Sequence, residues 1–196
     1  MTRIPNANEE QLAAAKPILD LASAAMGFEP NSLKIMARSP AMLQGFLGLS
    51  AAILGPDNIL DPGLRQMMAH ITSAAAGCRY CQAHTAHGAE HRGVQADKIE
   101  AIWSYETSPL FSDAERAGLA FAQAAGSVPN QVTDDHYDAL RVHFSDDEIT
   151  EMVGVISLFG FLNRWNDTLG TALEDSPLAF AEAHLAQNGW TIGHHR

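Results

Sequence analysis

Residues 60–89 read LDPGLRQMMAHITSAAAGCRYCQAHTAHGA. Asp61 and Pro62 predict a helix start, since a carboxylate caps free amides and proline suits the first turn, where no N–H is needed. From there Leu64, Met67, Met68, Ile71 and Ala75 recur at helical spacing. Gly77 is expected to break that helix, leaving Cys78-Arg79-Tyr80-Cys81 to open a second one. Unpaired amides and the positive end of a helix dipole stabilise a thiolate, which is the nucleophilic form of cysteine. Cysteines three apart on a helix lie one turn from each other, so they can join as a disulfide or act in sequence. His84, His87 and His91 follow within ten residues, and the chain has no cysteines besides these two. The competing reading is a pair of buried, inert thiols.

Outward from this stretch every segment carries helical signals. Glu9–Ala15 and Pro17–Met26 read as short helices separated or kinked by Pro17, with a stop at Gly27. Ser39-Pro40 opens a helix with a Met42, Phe46, Leu49, Ile53 face, and residues 55–58, GPDN, turn the chain. Asp97 and Glu100 have capping-box spacing ahead of a short helix to Tyr105, and Ser112 with Glu115 opens another through Ala125. Thr133–His143 is a further short helix. Ser145 and Glu148 precede the longest apolar run, Ile149 to Leu162, which implies a helix buried on most sides or a subunit contact. Pro177–Asn188 closes the series, and the tail Gly189–Arg196 is either loose or packed through Trp190. Period-two alternation never persists. The expected fold is all-α, a single domain over residues 1–196 with about seven to nine helices. Its CxxC-bearing core spans about 40–125, and a related helical unit at about 145–172 repeats the order of acidic cap, apolar helix and polar cluster. In that second unit Asn163-Arg164-Trp165-Asn166 stands where the first has its CxxC. Without a strand feeding the motif, a thioredoxin fold is excluded.

A chain of 196 residues, 46% hydrophobic and 18% charged, has ordinary globular composition. Its net charge of −11 argues against nucleic acid and anionic membranes as partners, which reward a basic face. No apolar run reaches spanning length and the N-terminus lacks a signal-peptide core, so a reducing cytoplasm is expected. There a CxxC is catalytic, redox-active or metal-binding rather than a staple.

The residues Leu64-Arg65-Gln66-Met67, Ser73, Gly77-Cys78-Arg79-Tyr80-Cys81, His84 and the small-residue helix to Gly93 resemble the alkylhydroperoxidase D-like branch of the carboxymuconolactone decarboxylase superfamily. Ser39-Pro40 to Leu60 and Asn163-Arg164 extend the resemblance over most of residues 30–172. It implies a duplicated helical fold assembled as dimers, trimers or hexamers. It also implies reduction of hydroperoxides by a cysteine pair, reset by an external dithiol protein, with no metal or other cofactor. Carried over, Cys81 is the peroxidatic cysteine and Cys78 the resolving one. The family's relay glutamate falls at Gln66, which cannot act as a base. The family histidine four residues after the second cysteine falls at Thr85, and the residue between the cysteines is Tyr80 in place of histidine. His84, one turn beyond Cys81, is then the expected base, held by Gln66 or the Tyr80 hydroxyl, with His70 in reserve or simply a core histidine.

Zinc is the competing reading of Cys78, Cys81, His84 and His87. On one helix these four span about 13.5 Å and cannot converge tetrahedrally on one ion. A decarboxylase is disfavoured because no basic cluster suits a dicarboxylic lactone. The remaining alternative is a helical scaffold whose cysteines have lost their function.

Overall fold

The computed structural model describes residues 2–196, and every regular element among them is helical. The α-helices are α1 (Glu9–Met26), α2 (Asn31–Met36), α3 (Pro40–Leu54), α4 (Pro62–Ala75), α5 (Arg79–Glu90), α6 (Ala96–Glu100), α7 (Asp113–Gly126), α8 (Asp134–Arg141), α9 (Asp146–Leu169) and α10 (Asp175–His184). Single 3-10 turns occupy Ala101–Ser104 and Ala186–Asn188. The all-α reading holds. The helix with no counterpart in the sequence pattern is α2, of six residues, which is too short to show a period; the 3-10 turns continue the short helices expected up to Tyr105 and Asn188.

The caps form where the sequence places them. Asp61 Oδ1 accepts the Leu64 amide at 2.8 Å, and Ser112/Glu115 and Ser145/Glu148 make reciprocal capping boxes. Two readings need correction. Pro17 does not divide the first helix: α1 runs unbroken through it, with Ala13 and Pro17 both exposed, so the carbonyl that loses its donor can face water. Asp97 and Glu100 form no box, because α6 already starts after Gln95 and Asp97 sits within its first turn.

The core is built around α4, whose residues Gly63 to Ser73 are all buried, polar ones included. It packs against α5, α7 and α9. Met67, Met68 and Ile71 interlock with Leu119 and Phe121 of α7 and with Met152, Val155 and Phe159 of α9. Each such side chain removed from water contributes about 1.5–3 kcal/mol. On α9 the inward face is buried, while Val153 and Phe161 remain about 40% exposed. The two stretches that resemble each other in sequence differ in form. Gly77, at φ +79°, reverses the chain between α4 and α5, whereas α9 continues as one helix through Asn163–Asn166.

A second cluster covers α5. Leu173, Ala181, Leu185 and Trp190 pack on Cys78, Tyr80, Cys81 and Ala86. The tail is held, since Trp190 Nε1 donates to the Arg79 carbonyl at 3.2 Å and the Leu173 amide donates to the His195 carbonyl at 2.8 Å. No helix among the described residues is long and apolar enough to cross a membrane.

Candidate active site around the CxxC motif

Cys78 is the N-cap residue of α5, and its sulfur accepts the backbone N–H of Cys81 at 3.3 Å. A helix N-terminus leaves its first amides without intrahelical partners, so a sulfur there takes the place of a capping oxygen and sits in the positive field of the dipole. Cys81, one turn on, is approached by the Asn166 amide of α9 at 3.6 Å. Both thiols are free and both are buried. Burial pushes the Cys81 thiol well up, and the hydrogen bond and charge of Cys78 push it further; Asn166 opposes weakly. Each sulfur thus receives one N–H, Cys78 from the backbone at the start of α5 and Cys81 from the Asn166 side chain.

On one side of the pair stands a group the sequence reading did not single out. A ring nitrogen of His195, a carboxylate oxygen of Asp167 and the Cys78 sulfur all lie within 4.8 Å of one another. His195 is fully buried, with Nδ1 2.9 Å from the Thr171 carbonyl and Nε2 3.6 Å from Asp167 Oδ1. Burial lowers its pKa, which favours the neutral ring. With Nδ1–H donated to Thr171, Nε2 carries the lone pair. These three atoms are also the one combination among the described residues that could offer sulfur, nitrogen and oxygen to a cation.

On the other side Glu174 gathers three donors. His84 Nε2 lies 2.6 Å from Glu174 Oε2, the Tyr80 hydroxyl donates to Oε1 at 2.9 Å, and the Asn31 amide donates to Oε1. Burial raises the Glu174 carboxyl, but the His84 hydrogen bond and charge and the Asn31 amide outweigh it and hold it below the usual range. Burial, then Glu174, pushes the Tyr80 phenol well up, so it stays a donor. The Tyr80 and His84 rings stack at 4.2 Å.

The expected site residues thus separate into groups. Cys78, Cys81, Tyr80 and His84 share the first turns of α5, but no hydrogen bond joins His84 to either sulfur; its Nε2–H is committed to Glu174. The Tyr80 hydroxyl does not hold His84 directly, because both bind the same carboxylate. Gln66 lies elsewhere: a side chain at Gly88 would meet its Oε1 at 2.9 Å, which puts it two turns beyond Cys81 along α5. The antiparallel α4–α5 hairpin explains this, since residues further before Gly77 face residues further after it. His70, closer to the turn, has Nδ1 3.0 Å from the Gln82 carbonyl and 3.1 Å from Thr85 Oγ1. Burial lowers its pKa to about 4. The four-residue zinc set does not assemble, with His84 on Glu174 and the His87 ring 4.1 Å from that of His91.

Residues 40–124 match the carboxymuconolactone decarboxylase family. The alkylhydroperoxidase D core of a peroxidase-related protein from Ralstonia eutropha JMP134 superposes with a TM-score of 0.80, at 25% identity over 92% of this chain and 95% of that one. The chain belongs to the alkylhydroperoxidase D/carboxymuconolactone decarboxylase superfamily. Within this superfamily it is also similar to the debrominase Bmp8, crystallised as an alanine-for-cysteine variant in complex with 2,3,4-tribromopyrrole. That match has a TM-score of 0.85 and 31% identity over 93% of this chain and 97% of that one. An uncharacterised Escherichia coli (strain K12) protein, YnjA, is 32% identical over 110 residues, and the match spans 60% of that protein's length. Superfamily members described this way include enzymes of different chemistry, so the site's own geometry has to carry the assignment.

Proposed function

We propose that this chain is a two-electron thiol reductase whose Cys78–Cys81 pair reduces a hydroperoxide and is reset by an external dithiol protein. The observation that carries the reading is the Cys78 sulfur capping α5, with Cys81 one turn behind it. In the forward step a thiolate attacks the outer peroxide oxygen. An S–O bond forms, the O–O bond breaks, and the alkoxide takes a proton to leave as an alcohol. The second thiol displaces hydroxide from the sulfenic acid, giving a disulfide and water. Two thiol–disulfide exchanges with the dithiol partner restore both thiols.

The resemblance to the family gives the attack to Cys81, but the amide-stabilised position favours the reverse order, with Cys78 attacking and Cys81 resolving. Sulfenic acid trapping distinguishes them. Under the order proposed here Cys81→Ser accumulates a trappable sulfenic acid on Cys78, and Cys78→Ser does not react.

A second reading rests on the likeness to Bmp8: the same pair could reduce a bromopyrrole-like haloarene. The thiolate would then take bromine, a proton would replace it on carbon, and Cys81 would displace bromide to give the same disulfide. Both readings are tested by counting thiols lost per acceptor consumed, anaerobically, with cumene hydroperoxide and with a tribromopyrrole. Two thiols lost per molecule of either acceptor supports a reductase and selects its substrate class. If neither acceptor is consumed and both thiols survive, the pair is inert and the chain is a helical scaffold.

A further inference from the structure

The hydroperoxide and haloarene readings both need the S–H proton of the attacking cysteine to leave, and the superfamily's relay carboxylate is absent at Gln66. We infer that His195, oriented by Thr171 and Asp167, is the proton acceptor for Cys78, so that the C-terminal segment completes the thiol site. The inference rests on the thiol reading above, and it concerns a residue more than a hundred positions from the motif.

Geometry supports it in three ways. First, His195 is buried and its Nε2 has no hydrogen-bond partner among the described residues. An orphaned buried acceptor is unfavourable, and an S–H donor brought from Cys78 within reach would satisfy it. Second, the Nδ1–H bond to Thr171 fixes the tautomer, leaving the lone pair on Nε2, 3.6 Å from Asp167 Oδ1, and the ring belongs to one cluster with that carboxylate and the Cys78 sulfur. A separation of up to 4.8 Å is within the span of one bridging water or of a small side-chain shift. Third, a proton on Nε2 has somewhere to go. The Asp167 side chain is 46% exposed, so its carboxylate joins the buried ring to solvent.

The groups that face His195 from each direction are consistent with this role. Asp167 of α9 favours the protonated ring, and the neighbouring His194 ring, 4.3 Å away, opposes it. Tyr80 of α5 lies 5.8 Å from the ring and stays protonated, with its hydroxyl directed to Glu174. The Arg3 guanidinium binds the Asp167 and Thr168 carbonyls rather than the Asp167 carboxylate, leaving that carboxylate to the two histidines. The resting ring is therefore neutral and becomes a cation stabilised by Asp167 once it holds the thiol proton. Asp167 is a positioning residue and His195 the base.

The test uses the whole reduced protein and needs no peroxide or haloarene. Iodoacetamide labelling is followed across about pH 5 to 9, with peptide mass spectrometry reading Cys78 and Cys81 separately. His195→Gln should slow Cys78 labelling at neutral pH by roughly tenfold or more and move the rise of its pH profile upward. Asp167→Asn should shift the profile the same way by a smaller factor. In His195→Gly, added imidazole should restore the rate, which a merely structural role would not permit. The inference is overturned if both conservative variants keep the wild-type profile, or if His195→Gly is slowed equally at every pH and imidazole does nothing. It is also overturned if the purified protein holds one zinc per chain and labelling begins only after chelation, since the trio is then a metal site. Failure of peroxide or haloarene turnover with this labelling pattern intact would count against the proposed function alone.

Discussion

Replacing His70 by glutamine should remove a defined part of the acid sensitivity of this fold. His70 is buried in the centre of α4, with Nδ1–H donated to the Gln82 carbonyl across the hairpin and Nε2 unpaired. Desolvation outweighs that hydrogen bond and lowers the pKa from the ordinary 6.5 to about 4. The folded state therefore keeps the neutral ring while the unfolded chain takes up a proton below about 6.5. Stability from this group is fully present above 6.5, falls as the pH drops, and is exhausted near 4. At about 1.4 kcal/mol per pH unit, the interval from 6.5 to about 4 amounts to roughly 3 kcal/mol. Urea unfolding at fixed protein concentration, repeated across this range for wild type and His70→Gln, measures it. The variant loses packing against Trp103 at every pH, so the informative quantity is the difference between the two curves. That difference should shrink by roughly 3 kcal/mol from neutral pH to pH 4. A difference that stays constant would show that His70 is protonated in the folded state, and the argument from burial would be wrong.

Glu174→Gln should cost about 1.5–3 kcal/mol by removing the charged acceptor shared by His84, Tyr80 and Asn31. Because the folded carboxyl lies below its ordinary value, its contribution is present above about pH 4.5 and is lost as the pH falls further; chemical denaturation at neutral and acid pH checks both. Gln66→Glu, which would restore the superfamily carboxylate, should change turnover by less than about twofold, since position 66 faces Gly88 and not the sulfurs. A tenfold gain would place a relay where none is expected. The half-open Leu49, Val153 and Phe161 on α3 and α9 form an apolar face suited to a second copy of this chain. Sedimentation of wild type should then give a species heavier than 21.1 kDa, reduced to the monomer by Phe161→Glu; a wild-type species at 21.1 kDa refutes it.

What could be read from the sequence was local. Asp61-Pro62, Gly77 and the serine–glutamate boxes specify helix ends within four residues, and all of these form as expected. The capping sulfur of Cys78 belongs to the same class, because it depends on position 81 alone. The partners of the cysteines were not legible. Asn166, Asp167, Glu174 and His195 reach α5 only through the packing of α9, α10 and the tail, and no spacing rule connects them to residue 78. The Gly193-His194-His195 tail in a chain with nine histidines was the available hint. Gln66 misled for the converse reason. The family resemblance set the relay at this position, but in this antiparallel hairpin a residue so far before Gly77 faces Gly88, two turns beyond Cys81.

The sulfur that caps α5 has an electrochemical consequence. Reduced Cys78 accepts an N–H and faces the positive end of a helix, whereas in a disulfide the same sulfur is a poorer acceptor. Every contact that prefers the reduced sulfur raises the reduction potential, by about 30 mV for each tenfold preference. On the redox reading proposed above, oxidising this pair would weaken the start of its own helix. The disulfide would then be an easy electron acceptor, and even a mildly reducing dithiol would suffice to return it to the thiol form.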